Sequence, residues 1–148
     1  MPLSAQQLRS IRCAVEETDT PLFRWQTVRD AIGDLPDPTD LSKATLFNNH
    51  EFRDGARVYA GHSGSKLDEP SKTIKAGAHG VPGGENMIVL DNGSVRYYTV
   101  RESARIQTFP DDYLTESMRQ IGNAVPVKLA KAVGDSVITQ MKGMMCNG

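Results

Sequence analysis

The stretch "TVRESARIQTFP", residues 99–110, contains both a start and a stop signal for a helix. Thr99 and Glu102 stand three residues apart, the spacing of a capping box in which each side chain accepts a hydrogen bond from the other's backbone N–H. Pro110 ends the helical pattern because it has no N–H and its ring clashes with the preceding turn. The stretch therefore predicts one short helix.

Upstream of this helix, short runs of strand-forming residues alternate with Gly, Pro and Ser. They are "ARVYA" (56–60), "SKTIKA" (71–76), "NMIVL" (86–90) and "VRYYT" (95–99). Asn92 and Gly93 form a strong hairpin signal, so the last two strands should pair antiparallel. We therefore predict a mixed α/β (α+β) fold with a small, irregular antiparallel sheet.

Downstream, "QIGNAVP" (120–126) predicts a sharp corner between two helices. Gly122 and Asn123 suit backbone angles that other residues adopt at a cost, and Pro126 fits the first turn of a new helix. A short helix through Leu114, Met118 and Ile121 should precede the corner. The last helix carries an apolar stripe that needs a covering surface, formed by Leu129, Val133, Val137 and Met141.

Two further helices are predicted nearer the N-terminus. Ser4 and Gln7 cap an amphipathic helix over residues 4–18, whose apolar stripe is typical of core packing. Thr27 begins a second helix that Gly33 ends. The chain from there to about Arg57 is predicted to be a polar loop.

Composition indicates one compact domain, since the 148 residues are 39% apolar and 24% charged. The net charge of -1 excludes a strongly basic surface, so any nucleic-acid contact must be local. Cys13 and Cys146 are far apart and lack metal-ligand spacing, which favours a reducing cytoplasm and no metal site. No apolar run predicts a membrane span or a secretory signal.

Residues 99–113 and 120–126 resemble the ninth and tenth conserved motifs of DNA (cytosine-5) methyltransferases. The ninth motif matches at Thr99, Arg101, Glu102, Ala104, Arg105, Gln107, Phe109, Pro110 and Asp111, and the tenth at Gly122, Asn123, Val125 and Pro126. The run "EPSKTIKAGAHG" (69–80) is similar to the end of the family's target-recognition domain. The resemblance extends from about Trp25 to the last helix.

The resemblance implies a division into three parts. Residues 1–24 are an unassigned helical lead, 25–98 the DNA-binding part of a target-recognition domain, and 99–148 the helices that close the cofactor pocket. In a complete enzyme those helices would pack on a Rossmann-like methyltransferase domain. The implied location is the cytoplasm of a bacterium or phage, in association with the nucleoid.

The implied site has a cofactor side and a DNA side. S-adenosyl-L-methionine (SAM) would be contacted by Tyr113, Asn123, Ala124 and Val125, and double-stranded DNA by Thr73, Lys75, Gly77 and His79. The backbone of a tight corner before a helix suits an anionic carboxylate, and a Gly-rich loop lets the backbone approach a phosphate. His79 alone is more typical of a solvated loop. Arg101 and Arg105 are expected to hold the scaffold through Glu102 or loop carbonyls.

The family's nucleophile is a cysteine in a Pro-Cys pair that attacks carbon 6 of a flipped cytosine. Cys13 follows Arg12 and Cys146 follows Met145, so no catalytic residue is predicted here. Glu85 and Asn86 resemble the family's Glu-Asn catalytic strand, but they lie after the recognition loop and are expected to be structural. The Phe-x-Gly-x-Gly cofactor loop and the eighth motif are also absent.

The sequence thus predicts the C-terminal portion of a DNA (cytosine-5-)-methyltransferase that is inactive alone. Its partner would be a half or domain that carries the Pro-Cys and Phe-x-Gly-x-Gly motifs, and self-association through the last helix is a second expectation. A non-catalytic DNA-binding or regulatory module, and a truncation product without function, are the alternatives. Neutral charge weighs against the DNA-binding module.

Overall fold

The computed structural model describes residues 24–60, 63–76, 86–114 and 117–146, which form a mixed α/β fold. Its helices and strands are α1 Val28–Ile32, α2 Leu41–Ala44, β1 Ser65–Lys66, β2 Met87–Val89, β3 Val95–Tyr97, α3 Val100–Ile106, α4 Met118–Asn123 and α5 Val127–Cys146. The predicted helix over residues 4–18 lies outside the described part.

The sheet has three strands in the order β1-β2-β3. β2 and β3 pair antiparallel, with Met87 opposite Tyr97, as the Asn-Gly signal predicted. Gly93 has φ +79°, a left-handed conformation that favours glycine, and its N–H donates to the carbonyl of Leu90 at 2.8 Å. The hairpin is therefore confirmed.

β1 was not among the predicted strands, and its pairing differs from the antiparallel sheet that the sequence predicted. β1 runs parallel to β2, with Ser65 opposite Ile88, so the sheet is mixed. A parallel pair needs a long connection between its strands, and here twenty residues, 67–86, separate β1 from β2. The strand patterns in the sequence carried no information on this direction.

Two of the predicted strands do not form. Val58 and Tyr59 are more than half exposed, so the run over 56–60 has no buried face that would hold it in a sheet. In the run over 71–76, side chains take the place of a strand ladder: the Lys72 N–H donates to Ser65 Oγ at 3.0 Å. Ile74 of this run is nevertheless buried in the core.

The two central helices begin where the sequence predicted, and α1 has a capping box that the sequence analysis did not name. Thr27 caps α1 with Asp30, and Thr99 caps α3 with Glu102, each with both reciprocal hydrogen bonds. Gly33 ends α1. The core that these helices share with the sheet consists of Val28, Ile32, Ile74, Ile88, Tyr98, Val100, Ala104, Met118 and Ile121. The predicted loop before Arg57 contains one short helix, α2.

α3 lies at the centre of the fold, and its first turn is buried together with its charges. Arg96 donates to both carboxylate oxygens of Glu102 at 2.7 Å, while the Thr99 N–H donates to the same carboxylate at 2.9 Å. Burial lowers the pKa of Arg96, but the hydrogen bonds and charge of Glu102 raise it by more, so the net shift is upward. The guanidinium therefore stays charged.

His50 connects the preceding loop to this helix start. Its ring is buried and lies 2.8 Å from the Pro36 carbonyl through Nε2 and 2.9 Å from Thr99 Oγ1 through Nδ1. Because a carbonyl can only accept, Nε2 carries the proton, and in the neutral ring Nδ1 accepts from the Thr99 hydroxyl. The His50 ring therefore connects its own loop to the Pro36 loop and to the residue that caps α3.

We expect Glu102→Ala to lower the free energy of unfolding by about 3–5 kcal/mol, because it leaves the buried Arg96 charge unpaired and the Thr99 N–H without its cap. Urea unfolding would measure the change. Asp135→Ala is the matched control: it breaks the exposed Lys131–Asp135 pair on α5 and should cost about 0.5 kcal/mol or less. Equal effects of the two substitutions would contradict the central role of Glu102.

Candidate cofactor and DNA-binding site

The predicted corner between two helices is present. α4 ends at Asn123, and Ala124 follows with extended backbone angles while its N–H donates to the Ile121 carbonyl at 3.1 Å. α5 then begins, with the Ala130 N–H donating to the Pro126 carbonyl at 2.9 Å. Residues 124–126 therefore form a short, partly exposed connection, directly after Asn123 at the end of α4.

Gly122 is required at this corner for a reason that the sequence did not indicate. It lies inside α4 and is not among the described glycines with a positive φ, which are Gly55, Gly64 and Gly93. A Cβ on Gly122 would lie 2.3 Å from the backbone nitrogen of Ala76 and 2.6 Å from the carbonyl carbon of Lys75. The expectation of a special backbone angle was wrong, and close backbone packing is the cause.

Gln107 and Thr108 hold the corner from the end of α3. The Gln107 side chain donates to the Ile121 carbonyl at 3.3 Å. The backbone carbonyl of Gln107 accepts from the Val127 N–H at 3.1 Å. Thr108 Oγ1 accepts from the Lys128 N–H at 2.9 Å. The first two N–H groups of α5 are thus already used, as is the N–H of Ala124, so the corner presents the exposed side chain of Asn123 rather than these backbone donors.

Sequence reasoning named Gln107 only as a motif position and missed both roles. The available signal was its position directly after the helix, between a capping box and Pro110. Thr108 has φ +61°, an unusual value for a β-branched residue, and no sequence pattern predicts it. The left-handed residue belongs to a Schellman motif at the end of α3, in which the Thr108 N–H donates to the Arg105 carbonyl at 2.8 Å and the Phe109 N–H to the Ala104 carbonyl at 2.9 Å.

The four cofactor-side candidates lie in two places. Asn123, Ala124 and Val125 form the corner itself, where Val125 is 60% exposed. Tyr113 lies in the turn after α3, with its ring 5.1 Å from that of Phe109 and its carbonyl accepting from Arg101 Nη2 at 3.3 Å. The three corner residues are contiguous, and Tyr113 belongs to a separate turn.

On the DNA side, Thr73 and Lys75 are exposed on the segment that follows β1. Thr73 shares a cleft of about 330 Å³ with the corner. Its lining consists of Ser71, Lys72, Thr73, Ile74, Ile106, Gln107, Gly122, Ala124 and Pro126. The structure therefore brings one DNA-side and one cofactor-side candidate to the same cleft, while Gly77 and His79 lie outside the described residues.

Asn86 has the structural role expected of it. Its side chain is fully buried, accepts from the Lys75 N–H at 2.9 Å and donates to the Lys75 carbonyl at 2.7 Å. These two bonds satisfy both backbone groups of Lys75 in the way a neighbouring strand would. Glu85 lies outside the described part of the chain.

The two motif arginines hold loops in place. Arg101, whose side chain is 1% exposed, donates to the carbonyls of Asn48 at 3.0 Å and Tyr113 at 3.3 Å. Arg105 binds Asp111 with two hydrogen bonds, which raise its pKa, and reaches Asp34 as well. Loop carbonyls were thus predicted correctly for Arg101, whereas Glu102 pairs with Arg96.

The outer surface of α5 is apolar and uncovered by the described residues. The side chains of the predicted stripe are each about half exposed: Leu129, Val133, Val137 and Met141. None of the described helices is long and apolar enough to span a membrane. Within the same residues, no group of three or more His, Cys, Asp or Glu side chains could hold a metal ion.

A sequence model described as "C-5 cytosine-specific DNA methylase" matches residues 12–139. Because the match covers most of the chain, the chain belongs to this family of DNA methyltransferases. It also begins upstream of Trp25, where the motif resemblance begins, so part of the N-terminal lead belongs to the shared region.

Several type II methyltransferases are similar to the chain. M.MthTI of Methanothermobacter thermautotrophicus is 33% identical over 158 aligned residues, which cover 87% of this chain and 48% of the relative. M.Eco47II of Escherichia coli is 45% identical over 106 residues, 68% of this chain and 24% of the relative. M.BsuRI of Bacillus subtilis is 33% identical over 147 residues, 80% of this chain and 32% of the relative.

The chain thus spans about a quarter to a half of the length of these relatives. The 158 positions aligned with M.MthTI also exceed the 148 residues of this chain, so that relative has insertions within the shared region. The contacts described above belong to a shorter version of that region.

The Arg105–Asp111 pair predicts a pH dependence of stability. Hydrogen bonds from Arg105 lower the pKa of Asp111 below its ordinary value of about 3.9, so the stabilisation is complete above pH of about 4 and is lost as pH falls through the lower pKa of the folded state. Asp111→Asn should therefore lower stability at pH 7, by about 1 kcal/mol or less because the carboxylate is half-exposed and screened, and should flatten the decline in acid.

Urea unfolding between pH 2 and pH 7 would measure this dependence. Asp112→Asn removes a neighbouring carboxylate from the same turn and controls for the change in net charge. An unchanged acid decline in Asp111→Asn would contradict the assigned role of the pair.

Proposed function

We propose that the chain is the C-terminal portion of a DNA (cytosine-5-)-methyltransferase, and that it supplies part of the DNA-recognition surface and one wall of the SAM pocket. The observation that carries this proposal is the cleft in which Thr73 and Ala124 meet, within a chain of this family. The reaction would be methyl transfer to carbon 5 of a cytosine in double-stranded DNA, in a restriction-modification system like those implied by type II relatives.

The corner suits one end of SAM, which supplies the methyl group when bound. Asn123 offers an exposed amide that can both donate and accept, and Val125 offers an exposed apolar side chain two residues away. A polar methionine tail beside apolar atoms of the same ligand matches this pair. Tyr113 and the backbone of Ala124 complete the proposed cofactor contacts.

The DNA contacts would be to the phosphate backbone. Thr73 carries a hydroxyl and Lys75 an ammonium on one exposed segment, and both groups bind phosphate oxygens. Gly77 and His79, in the adjoining Gly-rich run, are proposed to approach the same strand. The net charge of -1 makes such binding weak unless another part of the enzyme contributes cations. Action on chromosomal DNA would place the complete enzyme at the nucleoid.

No residue of this chain is proposed to be catalytic, so the chemistry requires a half or domain with the Pro-Cys and Phe-x-Gly-x-Gly motifs. The apolar stripe of α5 is the surface proposed to receive it. Burying four half-exposed apolar side chains on one helix face would supply several kcal/mol at about 25 cal/mol per Å². The chain alone should therefore transfer no methyl groups.

We expect methyl transfer from labelled SAM to duplex DNA only when this chain is mixed with a half that carries the missing motifs. Asn123→Ala should then raise the KM for SAM about tenfold, since one hydrogen bond to a charged ligand group contributes about 1.5–3 kcal/mol. Asn92→Ala, in the hairpin turn far along the chain, is the matched Asn control and should leave the KM for SAM unchanged.

Methyl transfer by the purified chain alone would refute the proposed division of labour. Silence of the mixture combined with tight, salt-sensitive duplex binding would support a non-catalytic DNA-binding module instead. Silence with no binding would indicate a product without function.

Self-association through α5 is the second consequence of the uncovered stripe. We expect sedimentation velocity to show a concentration-dependent dimer or larger species, which Val133→Glu should shift toward monomer because a charge cannot be buried there cheaply. Lys142→Glu, on the same helix outside the stripe, controls for charge. A monodisperse monomer at high concentration would contradict this expectation.

A further inference from the structure

The segment Lys75–Ala76 is held between two parts of the fold. The buried Asn86 side chain binds both the N–H and the carbonyl of Lys75, at 2.9 Å and 2.7 Å. Gly122 packs so closely on the next peptide group that a Cβ there would overlap the Ala76 nitrogen at 2.3 Å. Neither contact is explained by the core, which both Lys75 and Ala76 lie outside.

The hydrogen bonds of Asn86 can break, whereas the backbone contact of Gly122 can be relieved only by a movement of the backbone. The atoms nearest to Gly122 are backbone atoms of Lys75 and Ala76, which cannot rotate away as a flexible side chain could. Because Asn86 holds the backbone of Lys75 by two hydrogen bonds, an atom added at Gly122 must push against this held backbone and against α4 itself. The contact therefore transmits a shift in either direction.

The two ends of this contact belong to the two proposed binding sides. Lys75 and Ala76 continue from Thr73 on the DNA side, and Gly122 directly precedes Asn123 on the cofactor side. Ile74 anchors the first segment in the core and Ile121 the second, so the contact lies between two fixed points. A short, stiff path thus joins the two sides.

We propose that Gly122 is a positioning residue that couples the DNA-side segment to the cofactor corner through this direct backbone contact, while Asn86 holds the same segment by hydrogen bonds. This inference rests on the proposed function for the identity of the two ligands. The coupling follows from packing alone: any added side-chain atom at position 122 changes the placement of Lys75 as well as that of Asn123.

The first test uses the chain by itself and needs no ligand. In Gly122→Ala, amide hydrogen exchange of Lys75 should become about tenfold faster or more, because the bond to Asn86 is broken or strained. The amides of Ser103 and Gln107, bonded within α3, should keep their protection and report that the core is folded.

Gly143→Ala is the matched control. Gly143 lies in α5 with nothing within 4 Å of its added Cβ, so the same chemical change should leave exchange at Lys75 unaltered. A Lys75 amide that exchanges equally in wild type, Gly122→Ala and Gly143→Ala would overturn the inference.

The reverse test keeps the proposal falsifiable if Gly122→Ala does not fold. Asn86→Leu retains the approximate size of the side chain, but it has neither an acceptor for the Lys75 N–H nor a donor for the Lys75 carbonyl. The amide resonances of Gly122 and Ala124 should then shift, although neither residue touches Asn86 through a hydrogen bond in the wild-type structure. Unchanged resonances at both positions would also overturn it.

The complemented enzyme gives the functional test. Gly122→Ala should raise the KM for duplex DNA as well as the KM for SAM, each about fivefold or more, whereas Asn123→Ala should raise only the KM for SAM. A general loss of folding would lower kcat instead, and it would not produce this difference between the two variants in the KM for DNA. An effect of Gly122→Ala on SAM alone would contradict the coupling.

The two levels of test separate the inference from the proposed function. An inactive wild-type mixture would refute the proposed function, yet the exchange and resonance experiments would still decide whether position 122 controls Lys75. If the wild-type mixture is active but Gly122→Ala changes only one of the two KM values, the coupling is refuted and the proposed function remains.

Discussion

The buried carboxylate of Glu102 is the constraint on which the rest of the described structure depends. It accepts two hydrogen bonds from Arg96 on β3 and one from the Thr99 backbone, and so joins the sheet to the first turn of α3. His50 adds the preceding loop through Thr99 Oγ1. A charge buried to this extent is tolerated only when its hydrogen-bonding capacity is filled, so these contacts must form together.

From that centre, the end of α3 determines where the candidate site forms. Gln107 binds the last turn of α4 and the first residue of α5, and Thr108 binds the next residue of α5. The helix that begins at a buried ion pair therefore ends by fixing the corner on which the cofactor-side residues lie. This seven-residue helix therefore carries the buried ion pair at its start and supports the candidate site at its end.

The last helix, α5, contributes no residue to the core cluster of the described structure. Among the residues that the structure describes, that cluster consists of nine buried residues around α3 and the sheet. α5 is attached at its first turn, while its apolar stripe is about half exposed. In a family whose compared members are about two to three times as long as this chain, that arrangement is consistent with a surface that a further part of the enzyme covers.

Local signals in the sequence were sufficient for the helix start at Thr27, the capping box at Thr99, the Asn92-Gly93 hairpin and the corner before Pro126. Each depends on residues within a few positions of one another, so the sequence pattern itself specifies the hydrogen-bond partners. The motif residues likewise located the candidate site, although Gly77 and His79 lie outside the described part.

Only the tertiary structure decided the parallel direction of β1, the partner of Glu102 and the reason for a glycine at 122. Asn86 and Gly122 are both at least ten residues away from the segment they contact, Lys75 and Ala76. The periodicity of a sequence holds no information on such long-range contacts. Gly122 looked like a requirement of backbone conformation, but the contact with Ala76 exists only after α4 has packed against the segment that follows β1. Excluded volume between distant backbones, rather than local conformational preference, made that choice.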